Sequence, residues 1–518
     1  MVARSRRRRR PPAGLAAALA GAVLAAGAGC VDTGGEREPP GTDPTAIRRI
    51  DPGGVPGLST VTIGGREAGA RLFAGHPRIT GAEPLNGALA EQVDGDVRRF
   101  QERVVASSPR PEGGAVPELN VEWSLAAASG DVVGVRLVTA RSTGTDGGKP
   151  GRTGGGAAPG TPAGETRRTL WYDGAAGVVR PSADLVNGAS ALARLASLVA
   201  ARIRAPAVPA RITADPRAVF ASLGFSEQGD LVAEFSDGQV APPQAGRVAV
   251  ALGHTVYEPL LSPFGRRARD AALAVRPRLT LRTASPSGPS PSPPASAPAS
   301  PSVSSSSFPP PASPQPDCRV AKCVALTFDD GPGPETERLL DGLAGRSARA
   351  TFFVVGANAA AHPAVLRRMH REGHEVGNHT QAHRDLARLP ALRVNSEIQR
   401  TQQAVRSATG RAPTLLRPPY GDGGGEVARI ARSQGLTQVL WNADGDDRPG
   451  ADRRAIADRA VAQARPGGVI RLHDVRPASV DAVPEILDRL RRDGYSFVTV
   501  STLLGARAMA PGPSPGRR

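Results

Sequence analysis

From residue 323 to residue 500 the chain alternates short apolar runs with amphipathic stretches, and few architectures accept that rhythm. The runs are 323–328, 349–355, 374–378, 414–418, 438–442, 468–473 and 495–500, each of strand length. Between most of them lie helix-like segments at 335–343, 364–371, 392–407, 425–433, 453–463 and 480–491. Repeated β-then-α units require a parallel sheet with helices outside it. Seven strands in this span predict an α/β fold, a small and incomplete relative of the eight-stranded (β/α) barrel. In such barrels chemistry gathers at the C-terminal ends of the strands.

The ionisable residues fall at those ends. The first run closes in Thr327-Phe328-Asp329-Asp330-Gly331-Pro332, and the third leads into Asn378-His379-Thr380-Gln381-Ala382-His383. The fourth ends in Arg417-Pro418-Pro419-Tyr420-Gly421, the fifth in Trp441-Asn442-Ala443-Asp444 and the sixth in Leu472-His473-Asp474. His379 and His383 are four apart, and helical spacing would put both imidazoles on one face, able to share a metal. Alone, such a pair is more often two surface histidines; a double Asp at a neighbouring strand end tips the balance. Two His and one carboxylate form a common catalytic zinc set with a position open for water and substrate. Asp329 and Asp330 are adjacent, so one can ligate while the other takes a proton. The alternative is an Asp-Asp-Gly-Pro turn without chemistry.

In order, these segments resemble the signature motifs of NodB-type polysaccharide deacetylases, carbohydrate esterase family 4: TFDDGP, HTxxH, RPPYG and LHD. The resemblance covers about 318–504. It implies a distorted seven-stranded (β/α) barrel and a divalent metal, zinc before cobalt or nickel, held by Asp330, His379 and His383. It implies Asp329 as general base, Arg417 as its holder, and Tyr420 as the backbone N–H donor to the oxyanion. His473 matches the general acid, and Asp444 the carboxylate supporting the acid and the arginine. Leu472 and Trp441 match positions lining the acetyl methyl pocket. One departure stands out: the fourth motif usually runs Asp-x-x-Asp-Trp, and Arg448 replaces the Trp here.

The rest of the chain divides by composition. Residues 284–316 are almost entirely Ser, Pro and Ala, cannot bury a core, and read as an extended linker. The deacetylase domain then spans 317–506, with a disordered tail at 507–518. Residues 46–283 read as a small α+β accessory domain with a disordered, Gly/Thr/Pro-rich insert at 143–165. Its segment LWYD, a helix, GDLVAEFSDGQVAPPQAGRVAVAL and a final helix resemble the extracellular domain of lysozyme-sensing anti-sigma factors. That resemblance implies a non-catalytic role on the wall; the alternative is an unrelated spacer.

The first thirty residues read as an export signal: Arg4 and Arg6 to Arg10, an apolar stretch at 15–26, then Gly27-Ala28-Gly29-Cys30. Small residues before a Cys resemble the bacterial lipoprotein box, which would lipidate Cys30, although Gly27 stands where Leu is usual. Residues 31–45 read as a tether. The chain is then expected at the cell surface, anchored through Cys30 or otherwise secreted. Cys318 and Cys323 would pair in that oxidising compartment, provided the chain turns between them, since five extended residues span roughly 16 Å. The formal net charge of +17 suits anionic wall polymers or a GC-rich genome, and no basic stripe interleaved with aromatics points to nucleic acid.

These features predict a monomeric hydrolase removing N-acetyl groups from N-acetylglucosamine-containing polysaccharide, first of all peptidoglycan. Chitin or chito-oligosaccharide deacetylation and acetylxylan esterase activity are alternatives. A catalytically silent wall-binding or lysozyme-sensing protein is the alternative from another class.

Overall fold

In a computed structural model of the chain, residues 43–67, 69–106, 116–142, 164–203, 212–281 and 316–508 are described. The export signal, Cys30, nearly all of the tether and linker, and the tail from 509 on lie outside them. So does the expected insert, apart from Gly164 and Glu165, which open a strand.

The first region builds a six-stranded sheet from β1 (Leu58–Glu67), β2 (Ala70–Ile79), β3 (Glu118–Ser129), β4 (Val132–Ser142), β5 (Gly164–Asp173) and β6 (Val178–Pro181), ordered as in the sequence. All neighbours are antiparallel except β2 and β3. A parallel pair needs a crossover, and helix α1 (Glu83–Ala106) supplies it. Its apolar stripe of Leu85, Leu89, Val93, Val97 and Phe100 packs into one core with Leu72, Val121 and Val135. A second core joins α2 (Gly188–Ala200), α3 (Pro263–Leu273) and a three-stranded antiparallel sheet of β7 (Ser222–Phe225), β8 (Leu231–Phe235) and β9 (Val248–Leu252).

The second region holds the expected parallel sheet. Its strands are β10 (Lys322–Asp329), β11 (Ala350–Val354), β12 (Glu375–Asn378), β13 (Leu415–Leu416), β14 (Thr437–Gln438), β15 (Ala443–Asp444), β16 (Gly468–His473) and β17 (Tyr495–Phe497). The order is β14-β13-β12-β11-β10-β16-β15, with β17 beside the first residues of β10. All these pairings are parallel. Helices α4 (Thr336–Ala344), α5 (Pro363–Arg371), α6 (Ala391–Thr409), α7 (Gly425–Ser433), α8 (Arg453–Ala462) and α9 (Pro477–Arg492) pack outside.

The strand expected at 438–442 is split. β14 and β15 lie at opposite edges of the sheet, joined directly by residues 439–442, so that linkage closes the curled sheet. Within this connection the buried Arg417 guanidinium donates to the carbonyls of Val439 (3.3 Å) and Leu440 (3.5 Å).

Side chains alternate along each strand, so one set faces the barrel interior. At its closed end that set is apolar: Ala325, Phe353, Leu415, Val439 and Val469 form one small core. Two residues further along come Thr327 and Arg417, then Asp329 and His473 at the C-terminal rim. Cys318 and Cys323 are disulfide-bonded, with Cα atoms 5.4 Å apart. The chain makes the required turn, the amides of Val320 and Ala321 both donating to the Asp317 carbonyl.

From Pro44 onward the chain is one compact unit, so the two regions touch. Their contact surface lies along the barrel rim. Thr60 meets His362 at 3.0 Å, Asn120 donates to the Ala382 carbonyl at 2.6 Å, and Arg400 pairs with Glu122 at 3.1 Å.

Candidate active site

Asp330, His379 and His383 converge, with one potential ligand atom from each lying within 4.8 Å of the others. Both His Nε2 atoms face Asp330 Oδ1, at 3.5 Å from His379 and 3.2 Å from His383. All three side chains are buried. Helical spacing is not what joins the histidines. Residues 379–383 form a loop with Thr380 (φ 68°) and His383 (φ 54°) in the left-handed region. Asn378 Oδ1 accepts from the Thr380 amide (2.8 Å), and Glu397 accepts from that of Ala382 (2.9 Å), which turns the chain back on itself. Asp330, Tyr420 and Asp446 also have positive φ, so strained backbone collects at this rim.

The donor set fits a divalent cation. Asp330 Oδ1 is buried with no hydrogen-bond partner among the described residues, as is His383 Nδ1. Burial alone would raise the Asp330 carboxyl, but His383, His379 and His473 hold it well below the usual carboxylate range. Burial pulls His383 down to about 3 against the opposing pull of Asp330, keeping it in the neutral form that ligates metals. His379 Nδ1 lies 2.6 Å from the Arg417 carbonyl, which fixes the ring with Nε2 toward Asp330.

Asp329 accepts from Arg417 Nη1 at 2.7 Å, and the same nitrogen donates to Thr327 Oγ1 at 2.8 Å. Arg417 is fully buried, its guanidinium 4.0 Å from the Phe353 ring centroid. Burial lowers its affinity for its proton and Asp329 opposes this. Tyr420 lines the cavity, and burial pushes its phenol well above the ordinary value.

Asp444 does not support His473. Its carboxylate takes Arg471 (2.6 Å) and the Trp441 indole N–H (3.1 Å) instead. The carboxylate on His473 is Asp447: its Oδ1 lies 2.8 Å from His473 Nδ1, and its Oδ2 accepts from the His473 amide at 2.8 Å. Ser479 also donates to Asp447. Burial would raise Asp447, but His473, Arg476 and Ser479 hold it well below the carboxylate range. Asp447 is the second acid of the Asp-x-x-Asp spacing, where the motif resemblance pointed to the first.

Leu472 is also displaced from its expected role. It lies between Arg471 and His473, which line the cavity, so alternation turns it outward into the core with Phe328, Ile456 and Ile470. Trp441 does line the cavity. Arg448 stands at its exposed edge, paired with Asp446 at 2.7 Å. Asp474 is buried beneath, accepting from Thr336 at 2.6 Å, and burial pushes it up to about 7.

The cavity is about 430 Å³ and is lined by Asp329, Asp330, His379, His383, Tyr420 and His473, among others. That volume is within the range of small-ligand pockets. One further lining residue, Gly65, comes from the first region and carries no sequence signal of chemistry.

A family profile described as polysaccharide deacetylase matches residues 317–439. The peptidoglycan-N-acetylmuramic acid deacetylase PdaC of Bacillus subtilis is 42% identical over 184 residues, 35% of this chain and 38% of PdaC. A peptidoglycan-N-acetylglucosamine deacetylase of Bacillus cereus is 36% identical over 185 residues, 35% of this chain and 67% of the relative. A chitooligosaccharide deacetylase of Bradyrhizobium is 42% identical over 165 residues, 31% of this chain and 74% of the relative. The likeness to PdaC therefore spans less than half of that protein's length.

Proposed function

The chain belongs to the polysaccharide deacetylase family, and on that premise we propose that it removes N-acetyl groups from N-acetylglucosamine units of peptidoglycan. The observation that carries this reading is the juxtaposition at one rim of an Asp-His-His cluster, an arginine-held carboxylate and a carboxylate-held imidazole.

Asp330, His379 and His383 would hold the cation, zinc before cobalt or nickel. When bound, such an ion polarises a carbonyl and lowers the pKa of water. Asp329, fixed by Arg417, accepts the proton of the attacking water. The Tyr420 backbone N–H donates to the developing oxyanion. His473, its Nδ1 held by Asp447, presents Nε2 to the departing amine and protonates it. The C–N bond breaks, and acetate and a free sugar amine remain. Trp441 contributes to the wall around the acetyl group.

We place the enzyme outside the cell as a monomer, tethered through Cys30 if that residue is lipidated. The basic start, the apolar stretch and the Cys318–Cys323 pair support this. The decisive measurement is acetate release from purified peptidoglycan, chitin and acetylxylan, with and without chelator. Peptidoglycan should yield acetate, chelator should stop it and zinc should restore it. Acetate from xylan alone would overturn the proposal. The similarity to PdaC favours one variant of it, in which the free amine appears on muramic acid; mass spectrometry of the digested product separates the two.

A further inference from the structure

His379 and His383 are held by different means. The His379 ring is aimed by the contact of its Nδ1 with a carbonyl. His383 Nδ1 has no such partner among the described residues, and its backbone lies in the left-handed region. Apart from the 3.2 Å approach of its Nε2 to Asp330, packing orients this ring. Tyr420 meets it edge-on at 4.8 Å between centroids, and Phe73 of β2 stacks on its face at 4.4 Å with only 17° between planes.

Phe73 belongs to the first region. We propose that the β1–β2 hairpin of that region is a built part of the active site, and that Phe73 is a positioning residue for His383. Three neighbours act with it. Gly64, paired with Phe73 across the hairpin, lies beside Asp330, so that an added Cβ would be in van der Waals contact with Oδ2 at 3.4 Å. Its carbonyl accepts from Arg476 at 3.0 Å, and Gly65 beside it lines the cavity. Arg71 lies two residues before Phe73. It is buried, pairs with both Asp385 and Asp422, and sits 4.8 Å from the Tyr420 ring centroid. It therefore ties together the segments that follow His383 and Tyr420. A region without catalytic motifs thus fixes one imidazole of the triad and walls the cavity beside it.

This inference rests on reading Asp330, His379 and His383 as a metal site. The test uses the full chain and measures zinc affinity by competition with a chromophoric chelator. The visible spectrum of the cobalt-substituted protein is recorded alongside, with the melting temperature of the metal-free protein as a control for folding. Replacing a group that orients a metal ligand typically weakens binding about 10–100-fold. Phe73→Ala should show that loss with a shifted cobalt spectrum, and Phe73→Leu, which keeps apolar bulk, a smaller loss. Wild-type zinc affinity and cobalt spectrum in a folded Phe73→Ala would overturn the proposal. If that variant does not fold, Phe73→Leu decides in the same way. Zinc affinity that survives His383→Ala would remove the metal reading and this inference with it. Phe73-dependent zinc binding in a wild type that releases no acetate from any glycan would support the inference and sink only the deacetylase reading.

Discussion

The two regions bury charge in opposite ways. In the first, three buried carboxylates, Asp96, Asp173 and Glu234, are each held by several protein donors. Glu234 takes Arg136 and Arg247, the latter at 2.9 Å. Asp96 takes Arg99, Arg141 and Thr139, and Asp173 takes Arg180 and Arg267. At the barrel rim, Asp330 Oδ1, Thr380 Oγ1, His383 Nδ1 and the Tyr420 hydroxyl are buried without hydrogen-bond partners among the described residues. Buried polar groups left unpaired are rare and call for a cause. The contrast separates charge that holds a fold together from charge reserved for something that arrives later.

The sharpest way to break this contrast is to neutralise one acid of each kind. Asp330→Asn should lower turnover by about 10³-fold or more, roughly 4 kcal/mol of barrier, and abolish tight zinc binding. Glu234→Ala should do the reverse. It leaves Arg136 buried and unpaired, at a cost of about 3–5 kcal/mol in denaturant unfolding, with zinc affinity unchanged. A Glu234 variant as stable as wild type would erase the distinction.

The smallest expected effect tests whether the barrel also contains structural charge away from its rim. His374 is buried at the start of β12, its Nδ1 accepting from the Ala350 amide at 3.2 Å. Burial holds it at about 4, below the 6.5 of a free imidazole. A depressed folded value stabilises the fold fully above pH 6.5, and the contribution is lost as pH falls toward 4. The loss should be about 2–3 kcal/mol between those limits. Melting of metal-free wild type and His374→Asn across that range should show a gap that narrows on acidification; a constant gap would count against it.

Much of the barrel was legible because a parallel strand is apolar on both faces and its motif sits at its end. What escaped was set by contacts distant in sequence. Nothing local shows that 439–442 would join opposite edges of the sheet, so the fifth strand read as whole. The four-residue spacing of His379 and His383 is the same in a helix and in this left-handed loop. Alternation alone could have turned Leu472 away from the cavity, since His473 beside it had to face in. Choosing Asp447 over Asp444 required the position of Ser479 on α9. Phe73 and Arg71 carry no local signal of a role at the site, because their partners lie in another region.

The closing segment at 439–442 has one more consequence. A cylinder sealed by a continuous ladder would keep its shape whatever the charge on its rim. Here one guanidinium spans the join and also grips Asp329. Losing the Arg417 side chain would therefore remove, in one step, contacts at the join and the hold on Asp329.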